Sequence, residues 1–189
     1  MIQTNINGVE LTFITSPALF SPNKIDPGTL ALISEAGLTG GAEEKVLDLG
    51  CGYGVVGVYA AKLVGAENVV MLDSDAEAVR IAAENAALNG VSGIKTVLSD
   101  GFEDLDDAGF TLILTNPPYH TNFGVAKRFI EKGFNRLIIG GRLMMVTKRL
   151  DWYKNKLASV FGGVRVRELG GYYVFTAERR GASYSNKRN

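Results

Sequence analysis

The segment Lys45–Gly57, KVLDLGCGYGVVG, is the strongest constraint on how this chain can fold. An apolar strand-like run, a cluster of glycines and the start of an apolar helix-like run follow one another without a spacer. Strand, tight turn and helix in that order begin a βαβ unit, since a parallel neighbour strand can be reached only by a long crossover. The alternation then repeats. Strands are expected over Lys45–Leu49, Asn68–Leu72, Ile94–Leu98, Thr111–Thr115 and Arg142–Thr147. Helices are expected over Val55–Leu63, Ala76–Leu88, Gly124–Phe134 and Asp151–Phe161, the second opening after an aspartate at a capping position. Right-handed crossovers between such units give an α/β fold with a mostly parallel sheet and helices on both faces. The end of the chain departs from this pattern. VRVREL, Gly170-Gly171 and YYVFTA read as two strands joined by a two-residue turn, an antiparallel hairpin closing one sheet edge.

A chain of 189 residues with 46% hydrophobic and 21% charged residues is expected to form one domain over residues 1–180. Residues 1–40 would form a cap segment, residues 41–180 the core, and the polar residues 181–189 a disordered tail. No apolar run reaches transmembrane length: YGVVGVYAAKLVGA is short and carries Lys62. MIQTNINGVE lacks a basic region followed by an apolar one, so a soluble, cytoplasmic protein without a membrane partner is expected. The single cysteine, Cys51, excludes an internal disulfide and a Cys-rich metal site.

The net charge is zero, but it is segregated. Residues 1–126 hold 5 Lys/Arg and 16 Asp/Glu, a net of −11, whereas residues 127–189 hold 15 and 4, a net of +11. Such segregation turns the C-terminal third towards a polyanion. Internal pairing with the acidic half, or a scatter of solvated side chains, would leave the same composition.

Gly50, Gly52 and Gly54 remove side chains where a ligand would approach the backbone, and Gly52-x-Gly54-x-x-Gly57 fits the dinucleotide pattern literally. A purely structural glycine turn fits it as well. Two carboxylates sharpen the choice. Asp48 stands two residues before Gly50, where a pyrophosphate would meet unwelcome negative charge and a cationic or ammonium-bearing ligand would not. Asp73 ends the next strand, about 20 residues beyond the loop, where a carboxylate accepts ribose hydroxyls. A nucleoside with a positively charged tail satisfies both better than NAD, and S-adenosylmethionine is such a molecule.

VLDLGCGYG, LDSD, LSDGF and TNPPYH, in this order and spacing, resemble the motifs of class I S-adenosylmethionine-dependent methyltransferases over about residues 10–180. The resemblance implies a Rossmann-like seven-stranded methyltransferase sheet. It also implies that Asp48, Gly50, Gly52 and Gly54 cradle the methionine portion and that Asp73 binds the ribose. Asp100, with Gly101 or Phe102, would meet the adenine. Asp75 rivals Asp73 for the ribose and is better placed as a helix cap.

Exocyclic amines of bases and carboxamide nitrogens are poor nucleophiles, because the lone pair is delocalised. A site that methylates them must aim that lone pair at the sulfonium methyl. In TNPPYH, Asn116 can accept one amino hydrogen through its side-chain oxygen, and the Pro117 carbonyl can accept the other. Pro117 and Pro118 would hold these acceptors rigid, and Tyr119 would offer a ring for a flat group to stack on. Asn116 would also border the cofactor. The bland alternative is a turn after a strand. The stretch resembles the (N/D)PP(Y/F) signature of amino-methylating enzymes, which leaves the substrate open. His120, the only histidine, fits a hydrogen-bonding or packing role at the rim better than that of a general base.

TSPALFSPNKIDPGTLALI and the C-terminal GGRLMMVTKRLDWYKNKLASVFGGVRVRELGGYYVFTAER resemble the RsmC-like group of small-subunit ribosomal RNA guanine-N2 methyltransferases, as does NPPYH. By this resemblance Phe20, Ser21, Asp26, Gly28 and Thr29 help cover the cofactor and shape the target pocket; a helix cap and hydrophobic staple before Leu30–Ala36 is the alternative. Full-length members of that group carry a further N-terminal domain that assists recognition, so this surface is left to dimerisation or to the basic C-terminal third. Lys127, Arg128, Lys148, Arg149, Lys154 and Lys156 are the expected RNA path. The implied activity is methylation of an exocyclic base amine of RNA, above all guanine N2 of ribosomal RNA. Glutamine-N5 methylation of a protein, adenine-N6 methylation and a non-catalytic nucleic-acid-binding module remain alternatives.

Overall fold

The structure, a computed structural model, describes residues 1–40, 43–118 and 123–185. Two strands, β1 (Ile2–Ile6) and β2 (Val9–Phe13), open the chain as an antiparallel ribbon. Asn7 and Gly8 turn between them at φ 51° and 86°, both left-handed, as the commonest two-residue hairpin turn requires. There follow α1 (Pro27–Glu35), β3 (Val46–Leu49), α2 (Val55–Val64), β4 (Val69–Asp73), α3 (Ala76–Leu88), β5 (Lys95–Leu98) and β6 (Phe110–Thr115). The chain continues through α4 (Gly124–Arg136), β7 (Leu137–Thr147), α5 (Asp151–Phe161), β8 (Arg165–Leu169) and β9 (Tyr172–Glu178).

Seven strands form the main sheet in the order β5-β4-β3-β6-β7-β9-β8. The first five in that order pair in parallel, and the terminal hairpin adds β9 and β8 antiparallel. The α/β expectation holds, with the hairpin at the expected edge. Along the central strands successive side chains join opposite faces of the sheet with period two. Val46, Val69, Met71, Leu112, Leu114, Met144 and Val146 share one apolar cluster with α1, α2 and α3. Leu47, Leu49, Val70, Leu72, Ile113, Leu143 and Met145 share the other with α4 and α5. Cover on both faces explains why these strands read as unbroken apolar runs. The polar exception on β3 is Asp48, only 3% exposed.

Order reversal between β3 and β6 creates the topological switch point, where open α/β sheets bind ligands beyond the carboxyl ends of their strands. The N-terminal ribbon is tied to this edge from α3. The Ile14 amide donates to Asn85 Oδ1 at 2.7 Å, and Asn85 Nδ2 donates to the carbonyls of Ile14 and Tyr53, each at 2.8 Å. Asn89, one turn later, exchanges two hydrogen bonds with the Thr12 backbone. Asn85 is fully buried. Asn85→Leu, close in size, leaves one amide and two carbonyls unpaired and is expected to destabilise the fold by about 3 kcal/mol or more. The check is a lower urea midpoint at unchanged m-value.

Part of the segment expected to be a disordered tail is packed. The Tyr184 hydroxyl donates to the Glu131 carbonyl at 2.8 Å, and its ring meets Phe134 edge-on. No helix among the described residues is long and apolar enough to cross a membrane, and no group of His, Cys, Asp or Glu among them could hold a metal ion.

Candidate active site

The glycine loop leaves β3 under tight backbone control. The amides of Gly50 and Cys51 both donate to the Leu72 carbonyl at 2.9 Å, carrying the chain across the end of β4. Gly50, Gly52 and Gly54 have φ of 74°, 54° and 92°, a region closed to most side chains. At Gly57 the reason is space: an added Cβ would lie 2.3 Å from Met71 Cγ. The loop's amides also serve the two acids read from the sequence. Gly57 donates to Asp48 Oδ2 and Gly52 to Asp73 Oδ2, each at 2.8 Å. Asp73 Oδ1 accepts the Asp75 amide at 3.0 Å, while Asp75 caps α3 by accepting the Glu77 amide at 2.8 Å. Asp75 is therefore a helix cap as expected, although it also borders the cavity.

Beyond the carboxyl ends of β3–β6 lies a cavity of about 340 Å³. Gly50, Leu72, Asp73, Asp75, Asp100, Gly101, Asn116, Pro117 and Pro118 line it, together with Leu19 and Phe20 of the N-terminal segment and Phe129 of α4. A smaller cavity of about 60 Å³ adjoins it, bounded by Asp26, Thr29, Asp48, Cys51 and Tyr53. Phe20, Gly50 and Asn116 border both. Asp48 and Asn116 thus border the smaller cavity, and Asp73 and Asp100 the larger one. Burial and the neighbouring Asp73 charge push the Asp48 carboxyl up from 3.8 to about 7, against the lowering effect of the Gly57 amide.

At several residues the structure departs from the expectation. Gly52 and Gly54 border neither cavity; they shape the loop. Phe102 is 3% exposed and packs edge-on against Phe129, whose ring takes the place on the cavity wall and approaches both Gly50 and Gly101. In the sequence Phe129 is one apolar residue among several on the inner stripe of α4, and nothing local distinguishes it. Tyr119 and His120 lie outside the described residues.

Asn116 follows β6 and is gripped from α1. Its Nδ2 donates to Asp26 Oδ2 at 3.0 Å and to Thr29 Oγ1 at 3.1 Å. Because a carboxylate only accepts, the amide nitrogen must face Asp26, and Oδ1 is turned the other way. Among the described residues no donor reaches that oxygen. The helix cap and the pocket wall, alternatives in the sequence, are here the same residues: Asp26 Oδ2 also accepts the Thr29 amide at 3.0 Å.

Two of the six basic residues expected on an RNA path pair with carboxylates of this chain. Arg128 makes two 3.2 Å bonds to the Asp100 carboxylate, and Lys156 pairs with Glu131. Lys127, Lys148, Arg149 and Lys154 have no carboxylate partner among the described residues. Lys148 lies over the Tyr172 ring at 5.0 Å, and Arg149 lies 5.4 Å from the centre of Phe123, which stacks on Trp152. All four follow the carboxyl ends of β6 or β7 or open the next helix, on the same edge as the cavity.

This geometry coincides with that of a known family. Residues 10–176 match the family model described as methyltransferase small domain, and the chain belongs to that family. Its sheet order and terminal hairpin are those of the class I S-adenosylmethionine-dependent methyltransferase fold. Among relatives, YbxB of Bacillus subtilis (strain 168), described as uncharacterized, is 33% identical over 90% of this chain and 87% of its own. Ribosomal RNA small subunit methyltransferase C of Colwellia psychrerythraea is 32% identical over 93% of this chain and 50% of its own. The structure of the Thermus thermophilus 16S rRNA N2 methyltransferase RsmC, in complex with AdoMet and guanosine, superposes with a TM-score of 0.84 at 31% identity, covering 95% of this chain and 50% of that one. The chain thus spans about half the length of each of these two RsmC proteins.

Proposed function

We propose that the protein transfers a methyl group from S-adenosylmethionine to an exocyclic amine of an RNA base, with guanine N2 of ribosomal RNA as the target and the cytoplasm as the setting. The observation that carries this reading is the Asn116 carboxamide, locked by Asp26 and Thr29 with its oxygen turned away from them, at the junction of the two cavities. An acceptor fixed before the substrate arrives suits positioning catalysis.

The residues present fit the cofactor. The larger cavity, about 340 Å³, is within the usual range for a small-molecule site, about 300–1,000 Å³. In this reading Asp73 accepts ribose hydroxyls, since each of its oxygens keeps a lone pair beyond the one given to a backbone amide. Asp100 and Gly101, with Phe129 alongside, border the adenine, and Asp48 and Gly50 receive the methionine end, where its ammonium offsets the buried carboxylate. The cofactor supplies an electrophilic methyl carbon on a sulfonium. The chain does the rest: Asn116 Oδ1 and the Pro117 carbonyl accept the two amine hydrogens and aim the nitrogen lone pair. Once the nitrogen carries the methyl it is cationic and releases a proton readily, so no strong general base is needed. His120 therefore has no assigned step.

Asn116 and Pro117 would serve a glutamine carboxamide or adenine N6 equally well. RNA is favoured over protein by the four cations without carboxylate partners among the described residues, which follow the carboxyl end of β7 or open α4 and α5, and by the RsmC relatives. Replacing Lys127, Lys148, Arg149 and Lys154 together with Gln is expected to lower the salt slope of RNA binding by about 3, at about 0.7 per lost phosphate contact to a single strand. Cofactor affinity should not change. Arg128→Gln and Lys156→Gln, whose charges are paired internally, should leave the slope near the wild-type value. Titrations at several salt concentrations read both, and an unchanged slope in the quadruple variant would move the RNA elsewhere.

A further inference from the structure

We infer that Asp26 is a positioning residue for methyl transfer, fixing and polarising the carboxamide of Asn116; this rests on the reading of Asn116 as the amine acceptor. Asp26 is the N-cap of α1, and a cap requires one bond, here the one from the Thr29 amide. Asp26 does more. It is only 7% exposed, and its carboxylate also takes the Asn116 Nδ2 proton, from 90 residues away, and the Tyr172 hydroxyl at 3.3 Å, from 146 residues away. Thr29 Oγ1 takes the second Nδ2 proton. Three elements far apart in sequence therefore converge on one side chain whose output is the direction of the Asn116 oxygen.

Gly28 makes the arrangement sterically possible. A Cβ there would lie 2.6 Å from Tyr172 Cε1 and 2.7 Å from Asp26 Oδ2, so any side chain would push Tyr172 and Asp26 apart. A surface cap imposes no such demand on its second helical residue.

Two effects on Asn116 follow. The first is geometric: with both Nδ2 protons held, the amide cannot rotate to offer nitrogen where an oxygen is needed. The second is electronic. Donating to a carboxylate shifts electron density within the amide towards Oδ1, making it a better acceptor for an amine proton. Different substitutions separate them. Asp26→Asn keeps an oxygen for Asn116 and the cap, and its new amide can donate to the Tyr172 hydroxyl; only the charge is lost. Asp26→Ala removes both effects.

The test measures kcat and KM for methyl transfer to RNA, cofactor affinity by calorimetry, and hydrogen exchange of the Asn116 side-chain amide by NMR, assigned by its loss in Asn116→Ala. Asp26→Ala is expected to lower kcat about 100-fold and to abolish protection of the Asn116 NH2, with cofactor affinity within a few fold. Asp26→Asn should lower kcat about 10-fold at near-wild-type KM, keeping protection and thermal midpoint. If Asp26→Ala does not fold, Thr29→Val replaces it, with about a 10-fold loss in kcat and faster exchange of one Nδ2 proton. Wild-type kcat in folded Asp26→Ala, or in folded Thr29→Val, would overturn the inference. So would an Asp26→Asn variant that loses kcat, cofactor affinity and thermal midpoint together, since that is the pattern of a merely structural residue. Wild-type protein that methylates protein instead of RNA would refute the substrate reading alone, because the NMR measurement judges Asp26 independently.

Discussion

Asn116→Ala is expected to reduce methyl transfer by about 10³-fold, with cofactor affinity preserved within a few fold. The asymmetry follows from where the side chain is held. Asn116 is tied to Thr29 of α1 and to its cap Asp26, whereas of the acids proposed for the ribose and adenine, Asp73 ends β4 and Asp100 follows β5. Removing the carboxamide deletes an oxygen that matters when the amine is aligned, and little of the cofactor's surroundings. Loss confined to kcat is the signature of an interaction made in the transition state, whereas loss confined to KM would mark uniform binding. The Pro117 carbonyl remains in the variant, so residual turnover above background is expected. Full turnover would remove Asn116 from the mechanism.

Asp48→Asn is expected to move stability and cofactor binding in opposite directions. In the cofactor-free protein the Asp48 carboxyl holds its proton up to about pH 7, whereas in the unfolded chain it ionises near 3.8. The folded state thus binds more protons across that window, and this group's contribution makes stability fall as pH rises from about 4 to 7. Asparagine keeps an oxygen for the Gly57 amide and carries no charge. At pH 8 the variant should be more stable than wild type by about 2–4 kcal/mol, an advantage that disappears below about pH 4. Cofactor affinity should instead fall about 10–100-fold, the worth of a charged hydrogen-bonding partner for an ammonium. Wild-type affinity should weaken as pH drops below about 7, by up to about tenfold per unit as the proton competes, while the variant's stays flat. Denaturation and calorimetry at pH 6 and 8 read both signs. A variant less stable at pH 8 with unchanged cofactor affinity would show that Asp48 is structural.

Much of this was legible in the sequence because the features are local. A strand ending in Asp48, glycines that need left-handed φ, and Asp73 on the next strand are each encoded within a few residues. TNPPYH likewise declares a rigid turn carrying an acceptor. The N-terminal ribbon is a fold element beyond the expected strands, although Asn7-Gly8 between alternating apolar residues is a local hairpin signal. Other features have no local signature. Asn85 is a polar residue inside a helix, and its purpose depends on Ile14, 71 positions away. Phe129 and Tyr172 look like core residues until the fold brings them to the cavity wall and to Asp26. The basic third misled in part for the same reason: Arg128 and Lys156 count as cations in composition, but Asp100 and Glu131 already hold them.

Transfer of labelled methyl from S-adenosylmethionine to ribosomal RNA, taken as naked RNA and as small subunits from cells lacking this gene, tests the central claim most directly. The account predicts nuclease-sensitive, protease-resistant label that digests to N2-methylguanosine, with initial rates about 10³-fold lower for Asn116→Ala. Label that resists nuclease and is released by protease, with none in RNA, would contradict it.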